Sequence, residues 1–145
     1  SSTKSVIKQW QNKTGMSFQN DALFDGKTVF ENVAFPLEQR GIFHDEIKDL
    51  VMSGLKKISL NGSAHKYPTA ISGGMKKRVA VLRAIIHRPK LLLLDEPVAG
   101  LDPVSQIELW DLIDDYNKTN DCYTFMVIND SDQIVNYCKR ILSLL

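Results

Sequence analysis

The chain has 145 residues, 24% of them charged and 43% hydrophobic, with 18 basic side chains against 17 acidic ones. A net charge of +1 excludes a polybasic nucleic-acid arm and an acidic disordered chain as the whole molecule, and the apolar share suffices for a folded core. No apolar run reaches the ~20 residues that cross a bilayer, the first residues carry no apolar secretory segment, and Cys122 and Cys138 are too few for a disulfide scaffold or a structural zinc site, so a reducing, soluble compartment is expected.

In chain order, the first residues are polar and carry no assignable period. Thr14 to Gln19 alternates as a short strand does, and Asp25-Gly26 signals a turn. Thr28-x-x-Glu31 is a capping box, in which a hydroxyl and a carboxylate each take one orphan helix N–H. Phe30, Val33, Ala34 and Leu37 then share one helical face, with Pro36 expected to end or kink that helix. A second helix is predicted from Asp45 to Ile58 on the stripe Ile47, Leu50, Val51, Leu55, with acids in its first turn and lysines in its last. A polar loop, Asn61 to Ala70, leads to Ile71-Ser72-Gly73-Gly74-Met75. A third helix follows, with Met75, Val79, Leu82 and Ile86 on one face, and it stops before Pro89.

The pattern changes at Leu91. Leu91-Leu92-Leu93-Leu94, closed by Asp95-Glu96-Pro97, reads as a strand buried on both faces of a parallel sheet. Asp102-Pro103 starts a helix with a capping acid and a proline at its first position, and Leu109, Leu112, Ile113 and Tyr116 are its predicted core face. Tyr123 to Ile128 is a strand, Ser131 to Lys139 a helix and Ile141 to Leu145 another strand. Alternating strands and helices of this kind make an α/β fold with parallel strands.

The near-neutral charge hides an asymmetry. Between Gly73 and Lys90 every charged residue is basic, whereas from Leu91 to Asp132 Lys118 alone opposes a run of acids. Most of these charges are expected on solvated helix faces. Asp95 and Glu96 are the exceptions, because they stand at the C-terminal edge of a buried strand, where open α/β sheets bind ligands. One carboxylate there can hold Mg²⁺ through its water shell, and the next can polarise a water toward a γ-phosphate; a merely capped strand end is the alternative. Ser72-Gly73-Gly74 before a basic helix lets backbone N–H groups approach an anion, although such a tripeptide is commonly just a flexible turn. Gln19 by itself carries no information.

The order of these elements is informative where each alone is not. Gln19, a helical insert, Ile71-Ser72-Gly73-Gly74-Met75, Leu91-Leu92-Leu93-Leu94-Asp95-Glu96-Pro97 and Ala99-Gly100-Leu101-Asp102 together resemble the ABC-type ATPases, from about Gly15 to Leu145. The resemblance implies a P-loop NTPase-like parallel-sheet core, N-terminally truncated, with a helical signature subdomain. The implied division is 1–27 for a core strand and the glutamine loop and 28–88 for the α-helical subdomain with the signature motif. Residues 89–145 would form the α/β core with the Walker B strand, D-loop and a degenerate switch. It implies Gln19 as the glutamine linking Mg²⁺ and nucleotide to a membrane partner, and Ser72, Gly73 and Gly74 as the signature that binds a nucleotide held by the opposite subunit. Asp95 is implied as the Mg²⁺ aspartate, Glu96 as the general base and Asp102 as the D-loop residue. ATP and Mg²⁺ are the implied cofactors. A transmembrane permease and a second ATPase subunit, head to tail, are the implied partners, at the cytoplasmic face of the inner or plasma membrane. No nucleic-acid partner is expected, since the coiled-coil or zinc insertions of the repair and chromosome ATPases are missing. Met75, with Phe18 to Phe24 and Val29 to Leu37, further resembles the ATPases of Mla-type lipid importers, which implies phospholipid or sterol transport and an MCE lipid-binding partner.

Two departures qualify the activity. No G-x-x-x-x-G-K-[ST] occurs, and the phosphate-cradling loop would lie before Ser1, so the sequence reads as a piece of such an ATPase. Asn129 stands in Val127-Ile128-Asn129-Asp130 where the family carries a catalytic switch His; its amide can donate a hydrogen bond but cannot hold a proton's charge as imidazole can. The 145-residue chain alone is therefore expected neither to bind ATP tightly nor to hydrolyse it, and a non-catalytic interaction module on the same fold is the alternative function.

Overall fold

Three parallel strands organise the molecule, which was analysed as a computed structural model describing residues 2–129. The elements run α1 (Ser2–Lys13), β1 (Thr14–Ser17), α2 (Val29–Glu38), α3 (His44–Lys57), α4 (Gly73–Ile85), β2 (Leu91–Asp95), α5 (Pro103–Thr119) and β3 (Tyr123–Val127). Two short 3₁₀ turns, Asn61–Ser63 and Pro68–Ala70, break the polar loop before α4. The sheet order is β1-β2-β3, parallel throughout, with Gly15 opposite Leu92 and Leu94 opposite Met126. The architecture is the expected α/β one. The helix and strand expected over Ser131–Lys139 and Ile141–Leu145 lie outside the described residues.

The capping box forms as its spacing requires: the Glu31 amide donates to the Thr28 hydroxyl (3.2 Å) and the Thr28 amide to the Glu31 carboxylate (2.7 Å). Those bonds hold the Glu31 carboxyl below its ordinary range, the backbone bond from Thr28 being the main cause. Pro36 does not end α2, which runs on to Glu38. The helix runs only two residues past the proline, and the Arg40 guanidinium donates to the Pro36 carbonyl at 2.6 Å. Asn32, fully buried, pins the preceding turn. Its amide donates to the Phe24, Lys27 and Thr28 carbonyls and its oxygen accepts from the Phe24 amide.

The core lies where α2, α3 and α5 meet α4 and one face of the sheet. α3 buries Ile47, Val51 and Leu55 as its stripe predicts, with Leu50 only partly covered. Gly54 completes that contact, since a Cβ there would lie 2.9 Å from Leu82 Cδ1.

Three expectations need correction. α4 is not one-sided: every residue from Val79 to Ile85 is buried, because β1 covers one side while α2 and α3 cover another. α5 buries Trp110 besides the expected Leu109, Ile113 and Tyr116, while Leu112 packs against the core only partly covered. β2 is not buried on both faces. Leu92 and Leu94 are buried, but Leu91 and Leu93 are half-exposed on the opposite pleat. Met16 and Phe125 flank Leu93 on that face at 46% and 62% exposure, and among the described residues no helix covers it. The N-terminal stretch that carried no period is the helix α1, which buries no residue.

Candidate functional site

Directly after β2 the backbone turns sharply. Glu96 adopts φ +45°, a left-handed conformation that costs a non-glycine residue roughly 1–2 kcal/mol, and its amide donates to the Val127 carbonyl at 2.9 Å. This turn brings two distant segments to one carboxylate. Gln19, two residues beyond β1, donates its Nε2 to Glu96 Oε2 at 3.1 Å, and Asn129, two residues beyond β3, donates its Nδ2 to Glu96 Oε1. The C-terminal ends of all three parallel strands thus converge on Glu96, with Asp95 at the last register position of β2 opposite Val127. Two neutral amides fix both carboxylate oxygens without contributing a counter-charge. A carboxylate so oriented can accept a proton from a water held beside it.

A second group forms at the N-terminus of α4. Ser72 is its N-cap, accepting from the Met75 amide (3.2 Å), and Gly73 and Gly74 form its first turn. Gly73 is exposed, and a Cβ added there would meet nothing within 4 Å, so the space beside this helix start is open. Asp102 caps α5 in the same way, accepting from the Ser105 amide (3.1 Å) and hydroxyl (2.7 Å); these bonds, the hydroxyl's foremost, hold its carboxyl below the ordinary range. Gly74 packs beside this cap, 3.5 Å separating a Cβ built there from Ser105 Oγ. The predicted residues therefore fall into two groups: Gln19, Asp95, Glu96 and Asn129 at the sheet edge, and Ser72, Gly73, Gly74 and Asp102 at two adjoining helix starts. Among the described residues no hydrogen bond joins the two groups, because Ser72 and Asp102 use their side chains on their own helices.

Three polar residues of this region were missed by the sequence reading, which placed the basic run on a solvated face. Arg83 is buried, and its guanidinium donates to the Asp21 and Ala22 carbonyls, both at 2.8 Å. Lys77 donates to the Gln19 carbonyl at 3.3 Å and pairs with the Asp21 carboxylate at 3.5 Å. Burial raises the Asp21 carboxyl above its ordinary value, against the opposing pull of Lys77. The signal was present for Arg83, which lies one turn beyond the buried Val79 on the same helix face.

Among the described residues no group of three or more His, Cys, Asp or Glu side chains is placed to hold a metal by itself. That does not conflict with Mg²⁺, which takes one or two carboxylates and completes its octahedron with water and phosphate oxygens. Asp95, with Gln19 contributing the amide oxygen that its bond to Glu96 leaves over, is a donor set of that kind. A separate cleft of about 410 Å³ is lined by Lys57, Ser59, Arg78, Glu108 and Asp111 and contains none of these residues.

Residues 1–99 match the family model described as ABC transporter. The chain is 35% identical over 136 residues, 94% of its length, to the methionine import ATP-binding protein of Chromohalobacter salexigens. It is 39% identical over 140 residues, 97% of its length, to that of Carboxydothermus hydrogenoformans. It spans 39% and 41% of the lengths of those two relatives.

Proposed function

The chain belongs to the ABC transporter family, and from that premise we propose that it forms part of an ATP-binding subunit whose hydrolysis of ATP drives a membrane transporter. The observation that supports this most is the meeting of Gln19, Glu96 and Asn129 at the C-terminal edge of the sheet, from positions 77 and 33 residues away from Glu96 in sequence. In this reading Glu96 takes the proton of the water that attacks the γ-phosphate, and Gln19 and Asn129 keep its carboxylate aimed. Asp95 and the Gln19 amide oxygen would hold Mg²⁺, which supplies charge neutralisation at the phosphates. Ser72, Gly73 and Gly74 offer the N-terminus of α4 to a nucleotide bound by a second subunit, with Asp102 beside them. A transmembrane permease is the partner that such a subunit drives. No described helix is long and apolar enough to cross a membrane, in keeping with a peripheral position.

The cargo is a finer matter. The named relatives are methionine import proteins, which supports an importer of methionine or a similar small solute. The lipid cargo and MCE partner rest on Met75 and the stretches 18–24 and 29–37 alone, and none of those relatives carries a lipid name. A non-catalytic module is the second reading, favoured by Asn129, whose amide cannot carry a proton between Glu96 and a phosphate.

The test is Glu96→Gln in the complete subunit assembled with its permease. ATP should still bind while turnover falls by ~10²-fold or more, the usual scale for loss of a general base. Turnover at the unsubstituted rate overturns the role given to Glu96, and a complete subunit that never hydrolyses ATP favours the non-catalytic module.

A further inference from the structure

The loop that presents Gln19 is held in an unfavourable backbone conformation by side chains of α4. Asp21 and Ala22 are consecutive non-glycine residues with φ of +61° and +46°. Their local bonds, Asp21 amide to Phe18 carbonyl (2.9 Å) and Ala22 amide to Asn20 carbonyl (2.6 Å), close a tight turn but do not fix where it sits. Arg83 supplies that. Its guanidinium takes the two carbonyls of the strained residues in a fork at 2.8 Å each, and lies 5.7 Å from the Phe24 ring on the loop's far side. Lys77, six residues nearer the start of α4, takes the carbonyl of Gln19 itself at 3.3 Å and the Asp21 carboxylate at 3.5 Å. Their partners lie 58 and 61 residues away in sequence, so these contacts are tertiary and specific to the loop.

We propose that Arg83 and Lys77 are positioning residues that fasten the Gln19 loop to α4 and thereby set the Gln19–Glu96 contact. Because Ser72, Gly73 and Gly74 begin the same helix, a displacement of that helix start moves the Gln19 side chain relative to Glu96 through a rigid body. The inference rests on the proposed function for its meaning but not for its test, which is read without nucleotide.

The experiment uses the 145-residue chain labelled with ¹⁵N. The Gln19 side-chain amide resonance, identified by its loss in Gln19→Ala, is compared with and without Glu96→Gln. With Arg83 and Lys77 in place, Glu96→Gln should shift that resonance, reporting the direct bond. In Arg83→Met or Lys77→Met the same Glu96→Gln shift should fall to less than half, and Arg83→Lys should recover part of it. A purely structural role would lower the melting temperature and leave the shift intact. An undiminished shift in a folded Arg83→Met chain overturns the proposal, as does a chain in which Glu96→Gln never moves the Gln19 resonance. If Arg83→Met loses its amide dispersion, Lys77→Met decides by the same criterion, since the Lys77 side chain bonds to Gln19 and Asp21 of the loop. Loss of the ATPase reading, by the Glu96→Gln turnover assay, would leave this result standing.

Discussion

At Gly15 a methyl group would lie 2.1 Å from the Ala84 carbonyl oxygen and 2.9 Å from the Pro89 ring, so β1 and α4 approach to a distance only glycine allows. The obstacle is backbone and cannot rotate away. Gly15→Ala should destabilise the fold by about 1–3 kcal/mol, the usual cost of overpacking, measured by denaturant unfolding; an unchanged midpoint would refute the close packing. His87 is the other sensitive residue. It is bonded to the Thr14 carbonyl at 3.1 Å, and its Nδ1 is buried without a hydrogen-bond partner. Burial first, then the positive charge of Arg40, pushes its pKa down from 6.5 to about 4. Between those values the unfolded chain binds a proton that the folded chain refuses, so stability falls as the pH drops from 6.5 toward 4. The slope of unfolding free energy against pH in that window should flatten in His87→Gln. An unaltered slope would mean that other groups carry the dependence. Neither residue was singled out from sequence as sensitive, because a glycine in a strand and a histidine after a helix acquire their constraint from what packs on them.

The helices were more legible than the strands, and their caps explain why. Thr28, Ser72 and Asp102 each sit at the N-cap and each accepts a backbone N–H from the residue three further on. Those interactions are local, so sequence spacing is sufficient to see them. Ser72→Ala should cost about 1 kcal/mol, seen as a lowered unfolding midpoint with extra amide exchange confined to the first turn of α4; equal exchange there would show that the cap is dispensable. The cost should be felt in the site too, since α4 is the helix that carries Lys77 and Arg83. By contrast the burial of β2 was overestimated, because four leucines in a row look the same whether one face of a sheet is covered or two. α1 was missed for the complementary reason. Val6, Ile7 and Trp10 are exposed at 48%, 52% and 63%, so no core contact left a period in its sequence.

At the scale of the molecule, the described residues leave an apolar sheet face exposed. Met16, Tyr123, Phe125 and Val127 stand on it at 46%, 74%, 62% and 58% exposure. An exposed apolar face of this kind favours association. Light scattering should show the 145-residue chain associating as its concentration rises, and Phe125→Lys should reduce that association. A monomer at all concentrations would show that the face is tolerated.

The sequence by itself determined the α/β class, the order of elements from β1 to β3, the caps and the choice of Asp95, Glu96, Gln19 and Ser72-Gly73-Gly74 as the residues to watch, because each depends on spacing along a few turns or on motif order. Only the tertiary structure decided that Gln19 and Asn129 reach the same carboxylate, that Arg83 and Lys77 hold the Gln19 loop, and that among the described residues one face of the sheet stays uncovered. The reason is sequence separation. Parallel strands bring their ends together only after long crossovers, so the contacts that assemble this site join residues 33 to 77 positions apart, where no local pattern records them.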